Sequence, residues 1–131
     1  MSDIEIRVMT NKTKGFYTQV GPFLARREIV TELGGHLWDD DDKTWFVAIK
    51  GRTVIGFCAA RPVAGKTTYL SAYVVPGHRR QGVYRRLWQE RRAQFPGPAR
   101  ATCTTASLPV FLANGWVVAG TKGSYQKLAS A

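Results

Sequence analysis

An α/β (α+β) fold, with a central sheet of about six or seven strands and flanking helices, is predicted by three features of the sequence. Short runs of alternating or β-branched residues recur along it. Other stretches switch to a helical period, and glycine or proline punctuates the changes between them. With 131 residues and 44% hydrophobic content, the chain suits one domain, residues 1–131, around one core.

Taken in order, Ile4 to Met9 alternates apolar and polar side chains as a half-buried first strand does, and Thr10-Asn11-Lys12 is turn-like. Phe16 to Leu33 sets Phe16, Val20, Phe23, Leu24, Ile29, Val30 and Leu33 at roughly helical spacing, and Gly21-Pro22 should divide it into two helices. Gly34-Gly35 stops the second. The acidic run Asp39 to Asp42 leads into a strand from Thr44 to Ile49, ended by the turn Lys50-Gly51-Arg52, and Val54 to Ala60 returns as its hairpin partner. After a loop from Pro62 to Lys66, Thr67 to Val75 reads as a long strand rich in Tyr and Val, closed by Pro76. From Val83 the period changes. Val83 with Leu87 and Tyr84 with Trp88 are i, i+4 pairs, while Arg85, Arg86, Glu90 and Arg92 form a charged face, and Pro96-Gly97-Pro98 ends the helix. Ala99 to Thr104 is a short strand, Ser107 to Asn114 a short helix with Gly115 at its end, and Trp116 to Leu128 two strands around Lys122-Gly123-Ser124.

The charge balance narrows the partners. Nineteen Lys and Arg stand against nine Asp and Glu, a formal net charge of +10. Such a surface attracts phosphates, so nucleic acid, an acidic protein or a phosphorylated cofactor would each suit it, and so would plain solvation of a basic surface. Arg26, Arg27, Arg85, Arg86, Arg91 and Arg92 are the clusters expected to be available to nucleic acid. No run approaches the roughly twenty apolar residues that span a bilayer, and Met1-Ser2-Asp3-Ile4-Glu5 lacks the order of a signal peptide. The expectation is a soluble, cytoplasmic protein without membrane contact, monomeric or homodimeric. Cys58 and Cys103 sit in apolar runs as reduced, buried thiols do, and with His36 and His78 they show none of the close pairing of zinc ligands, so no metal is expected.

The chemistry is concentrated between Ala72 and Leu87, where a strand meets a helix through a basic loop. A helix N-terminus exposes unpaired backbone N–H groups and a partial positive charge, and a glycine there lets phosphate approach closely. Gly82 is that glycine, and Arg79 and Arg80 add charge-assisted contacts for a ligand with a pyrophosphate. His78 reads as part of the same loop.

Arg79-Arg80-Gln81-Gly82-Val83-Tyr84 resembles the Q/R-x-x-G-x-G/A loop of the GNAT N-acetyltransferase superfamily, preceded by that family's Val-x-Pro as Val74-Val75-Pro76. The first glycine matches, and Tyr84 stands where the family has Gly or Ala. Phe111-Leu112-Ala113-Asn114-Gly115-Trp116 is similar to the family's Tyr-x-x-x-Gly-Phe. The two motifs fall within Val54 to Trp116, about half of the chain. The resemblance implies a mixed, mostly antiparallel sheet splayed between strands four and five. It also implies direct transfer of an acyl group, by default from acetyl-CoA, to an amine, without an acyl-enzyme. Main-chain groups of Tyr73, Val74 and Val75 would then pair with pantetheine and polarise the thioester, and the N–H groups from Gln81 through Val83 to Tyr84 would hold the pyrophosphate.

The family's proton-donating tyrosine falls on Phe111, which the resemblance places at the cofactor but which has no proton to give. Ser107, four residues earlier, reads either as a helix N-cap ahead of Pro109 or as a substitute donor, with Thr104 and Thr105 close by. The candidate bases are Glu28, Glu32, His36 and the run Asp39 to Asp42, of which Asp41 is the named candidate. That run reads first as a solvated loop, bordering the acceptor side in this fold. The acceptor is an amine, small or carried on a macromolecule, with nucleic acid included on grounds of charge and of an analogy to the phage Mom DNA-modification enzymes. The competing reading is a noncatalytic module of the same fold that binds CoA or nucleic acid, favoured by Phe111 and Tyr84.

Overall fold

The computed structural model describes residues 4–24, 26, 43–63, 66–103, 108–122 and 125–130. Among these residues there are seven strands, β1 (Ile4–Met9), β2 (Thr44–Lys50), β3 (Thr53–Val63), β4 (Lys66–Val74), β5 (Ala99–Cys103), β6 (Val117–Lys122) and β7 (Tyr125–Ala129). The helices are α1 (Phe16–Gln19), α2 (Gly21–Leu24), α3 (Val83–Gln94) and α4 (Leu108–Ala113), with a 3₁₀ turn at Pro76–His78. One sheet runs in the order β1-β2-β3-β4-β5-β7-β6. Its neighbours are antiparallel except for β4 and β5, which are parallel. The mixed, mostly antiparallel sheet with flanking helices is therefore as the sequence predicts.

The local choices follow from the residues. Both faces of β2 are covered, which explains why Trp45 to Ile49 is an unbroken apolar run. Phe46 and Ala48 pack on one side with Leu87, Trp88 and Phe111, while Trp45, Val47 and Ile49 pack on the other with Phe16, Val20 and Phe23. Gly21 and Pro22 divide this segment into two helices as expected: α1 ends at Gln19 and Gly21 opens α2, where proline fits a first helical turn. The expected continuation from residue 27 to 33 lies outside the described residues. Gly115 ends α4 in the left-handed region (φ 83°), its N–H donating to the Leu112 carbonyl at 3.2 Å.

Two expectations are corrected. The loop expected from Pro62 to Lys66 is partly strand: β3 continues to Val63, and Lys66 opens β4. Proline is tolerated there because Pro62 lies past the last β2 partner at Ala60. Its pair mate Thr67 donates its N–H away from β3, to the Pro98 carbonyl at 3.0 Å, so the pair makes no ladder bonds and the missing Pro62 N–H costs none.

Arg91, expected on a surface cluster, is 1% exposed. It follows Val83 and Leu87 on the buried stripe of α3 at helical spacing. There its Nη1 donates to the Ala59 carbonyl at 3.1 Å, and its guanidinium lies 4.2 Å from the Tyr69 ring centroid and 5.5 Å from that of Trp88. Its neighbours are also tied down: Arg86 donates to the Ile4 carbonyl, and Arg92 donates to the Gly97 carbonyl at 2.9 Å. Cys58 is buried beside this helix, and burial pushes its thiol up, so it stays protonated and inert.

The feature that positions the site is where β4 and β5 part. Among the described residues they pair only through Thr67↔Ala99, Thr68↔Arg100 and Tyr69↔Ala101, so the stretch from Leu70 to Val74 has β3 on one side and no described strand on the other, which is the open edge.

Candidate active site at the β4–α3 junction

Along β4 the main-chain groups turn alternately to either side. Val75 N–H donates to the Ile55 carbonyl of β3 at 2.9 Å, so Val74, one residue earlier, turns its N–H and carbonyl to the open edge. The Val74 carbonyl there accepts Arg79 Nε at 2.8 Å, and the Arg79 guanidinium lies 5.4 Å from the Tyr73 ring centroid.

From there the chain passes through the 3₁₀ turn, closed by His78 N–H to the Val75 carbonyl at 2.8 Å, into a loop with two left-handed residues. Arg80 has φ 63° and Gly82 has φ 79°. Left-handed geometry costs an L-residue roughly 1–2 kcal/mol, so Arg80 is a strained position. Left-handed Gly82 followed by a right-handed helix turns successive N–H groups inward as an anion-binding concavity. The first bond at the start of α3 runs from Arg86 N–H to the Gly82 carbonyl at 3.1 Å, so the N–H groups of Val83, Tyr84 and Arg85 precede the helical ladder. The first turn of α3 carries no acidic residue.

These elements enclose a cavity of about 430 Å³, lined by Ala72, Tyr73, Val74, His78, Arg79, Arg80, Gly82, Val83, Tyr84 and Arg85. A second, of about 440 Å³, is lined by Tyr84, Arg85, Trp88, Gln89, Ala113 and Asn114. Tyr84 and Arg85 belong to both, so the ring standing where the motif has a small residue forms a wall between them.

Of the residues singled out from sequence, Tyr73, Val74, Arg79, Arg80, Gly82, Val83 and Tyr84 come together around the first cavity. Val75 and Gln81 belong to the same segment without lining it, and the Val75 amide is already taken by β3. Phe111 lines neither cavity: it is 4% exposed, with its ring centroid 4.8 Å from Trp88 and 4.9 Å from Trp116. Ser107 and Asp41 lie outside the described residues, as do Thr104, Thr105, Glu28, Glu32, His36 and Arg27.

The sequence reading set Arg85 on a charged helix face and Asn114 at a helix end rather than on a cavity wall, and it passed over Gly56, whose place inside an apolar strand does carry a signal. A Cβ at Gly56 would meet the Tyr73 carbonyl oxygen at 3.0 Å and Val74 Cα at 3.4 Å. Gly56 thus lets β3 press against β4 at the residues that form the open edge. Gly56→Ala is expected to cost about 1–3 kcal/mol of stability through overpacking, measured by denaturant unfolding.

A model of the acetyltransferase (GNAT) family matches residues 9–111. Among solved structures, Escherichia coli ElaA superposes with a TM-score of 0.78 at 11% identity, over 98% of this chain and 99% of that one. The PaiA N-acetyltransferase of Thermoplasma acidophilum, in complex with coenzyme A, gives 0.70 at 17% identity, over 99% of both chains. A GNAT family acetyltransferase from Elizabethkingia anophelis with acetyl-CoA bound gives 0.68 at 11% identity, also over 99% of both. At these identities the likeness is one of fold. No curated protein matches the sequence significantly. The analogy to the Mom enzymes gains no support from these matches.

Proposed function

We propose that this chain, which belongs to the acetyltransferase (GNAT) family, transfers an acetyl group from acetyl-CoA directly to an amine at the open edge of β4. The observation that carries this reading is a continuous path within one cavity. The outward-turned main chain of Val74 lies at one end, and the positive, glycine-bearing start of α3 at the other.

The residues fit the donor. N–H groups at the start of α3, with Arg79 and Arg80 beside them, suit a pyrophosphate, and the unpaired edge of β4 suits the amides of pantetheine. The Val74 N–H then points at the thioester carbonyl and stabilises the negative charge that builds on its oxygen as the amine adds. One such donor is worth about 10²–10³ in rate. The thiolate leaves as the carbonyl re-forms, and the amine sheds a proton. Asp41 is the proposed base toward the amine, and Ser107 the proposed donor to the sulfur. Most of this machinery is main chain, so Tyr84 in place of a small residue reshapes the wall of the cavity without removing a reacting group.

Phe111 favours a second reading. Buried in an aromatic cluster without a proton to give, it suits a module that binds CoA and does no chemistry. One experiment separates the two: CoA binding by calorimetry, alongside free CoA release from acetyl-CoA with a panel of amines. Acyl transfer predicts saturable CoA binding and amine-dependent release at least about 10²-fold above the uncatalysed rate. Binding without release supports the module, and absence of binding overturns both.

A further inference from the structure

The N–H group that acyl transfer would need most is at a vulnerable place. Val74 is the last residue of β4, and β3 is the only described strand beside it. A strand end with one neighbour opens more readily than a strand held on both sides, so a fixed donor there requires a further restraint.

The peptide unit that follows shows what supplies it. Its N–H, on Val75, donates to the Ile55 carbonyl of β3 at 2.9 Å, and its carbonyl, on Val74, accepts Arg79 Nε at 2.8 Å. One peptide plane is thus pinned from both sides. At this position the guanidinium stands in for the missing strand. It is held in turn by the Tyr73 ring, whose centroid lies 5.4 Å away. That ring is itself buried, with centroid distances of 5.8 Å to Phe57 and 6.4 Å to Phe23. Between Val74 and Arg79 the chain is short and stiff: Pro76 fixes one φ, and the His78 N–H closes a turn on the Val75 carbonyl at 2.8 Å. The two ends of the bond are therefore close before it forms, and little chain entropy is lost in making it.

Arg79 also lines the cavity that takes the phosphates, so one planar group touches both halves of the site. A guanidinium presents its donors in a rigid fork and lies flat on rings, whereas a lysine ammonium is a point charge on a flexible stem. Arg80, the next residue, is left-handed without being glycine, and such a conformation persists only where its surroundings over-determine it. Anchoring Arg79 to β4 is one such restraint. A residue that served phosphate by charge alone would not need its Nε on the strand.

We propose that Arg79 is a positioning residue: its bond to the Val74 carbonyl ties the phosphate loop to the end of β4 and holds the Val74 N–H in place in the cavity. The proposal rests on the acyl-transfer reading for its effect on rate, and the test separates the two. Acetyl-pantetheine carries the thioester and the amide arm of the donor but no phosphate. With it, Arg79→Gln should lower kcat at least about tenfold and change KM less than about threefold, because the donor to the carbonyl oxygen is displaced while no phosphate contact is there to lose. Arg79→Lys keeps the charge, so its CoA affinity by calorimetry should stay within about threefold of wild type, and its kcat with acetyl-pantetheine should remain low. Amide hydrogen exchange, read by NMR on the free protein, needs no donor. The Val75 N–H should exchange at least about tenfold faster in Arg79→Gln than in wild type. Thermal unfolding checks that each variant is folded. Faster Val75 exchange in a chain that shows no amine-dependent thiol release supports the brace and overturns acyl transfer alone. Unchanged Val75 exchange, full kcat of Arg79→Gln with acetyl-pantetheine, or recovery of that kcat by Arg79→Lys overturns the proposal and leaves Arg79 a ligand of the phosphates only.

Discussion

Gly82→Asp is expected to lower the affinity for CoA at least about 100-fold, roughly 2.7 kcal/mol, while the protein still folds. A Cβ at Gly82 meets nothing within 4 Å, so the fold has room for the side chain. The backbone has φ 79°, where an L-residue is strained by roughly 1–2 kcal/mol. Part of that strain is offset, because Asp tolerates the left-handed region better than most L-residues. The carboxylate is what destroys the site. The carboxylate would occupy the N–H groups proposed to receive the pyrophosphate, pair with Arg79 or Arg80, and repel the incoming phosphates. Gly82→Ala separates charge from strain: with no carboxylate to fill the concavity, its loss of affinity should be about tenfold or less. Calorimetric titration with CoA, beside thermal unfolding of each variant, reads both effects. A Gly82→Asp protein that binds CoA normally would move the phosphates away from the start of α3.

The phosphate loop is legible in the sequence because its chemistry is local. A strand, a proline, two arginines, a glycine and a helical repeat follow one another within Ala72 to Leu87, and main-chain geometry does the rest. The strands are legible for a similar reason, since period and turn residues are properties of short windows. Contacts between distant segments are not. Arg91 lies at helical spacing from Val83 and Leu87, so its place on the buried stripe could be read from position. Its charge argued the other way, and the Tyr69 ring that receives it comes from another strand. Pro62 looks like a loop residue until the pairing of β3 with β2 is seen to stop at Ala60. Phe111 was placed by its motif, whereas its surroundings were set by Trp88 and Trp116.

Trp88 is where that aromatic cluster meets the helix bearing the loop, and Trp88→Ala is expected to destabilise the protein by about 3–5 kcal/mol. The ring is 5% exposed, and its centroid lies 4.8 Å from Phe111, 5.5 Å from Trp116 and 5.7 Å from Tyr69, all in edge-on geometry. Truncation removes α3's aromatic contacts with α4, β4 and the approach to β6 together, and the rings around it cannot close the void without leaving their own contacts. The Arg91 guanidinium, 5.5 Å from the same ring, loses part of the π surface that stands in for water. Against a total stability of about 5–15 kcal/mol, this is about a fifth or more. The melting temperature should fall by roughly 10–20 °C. Trp88→Phe keeps an aromatic edge in place and should lose about half as much or less. Because CoA binds only the folded state under the proposed function, saturating CoA should raise the melting temperature of the wild type and of Trp88→Phe alike. A Trp88→Ala protein that melts with the wild type would show that α3 is held on the sheet by other contacts, chiefly the buried stripe of Val83, Leu87 and Arg91.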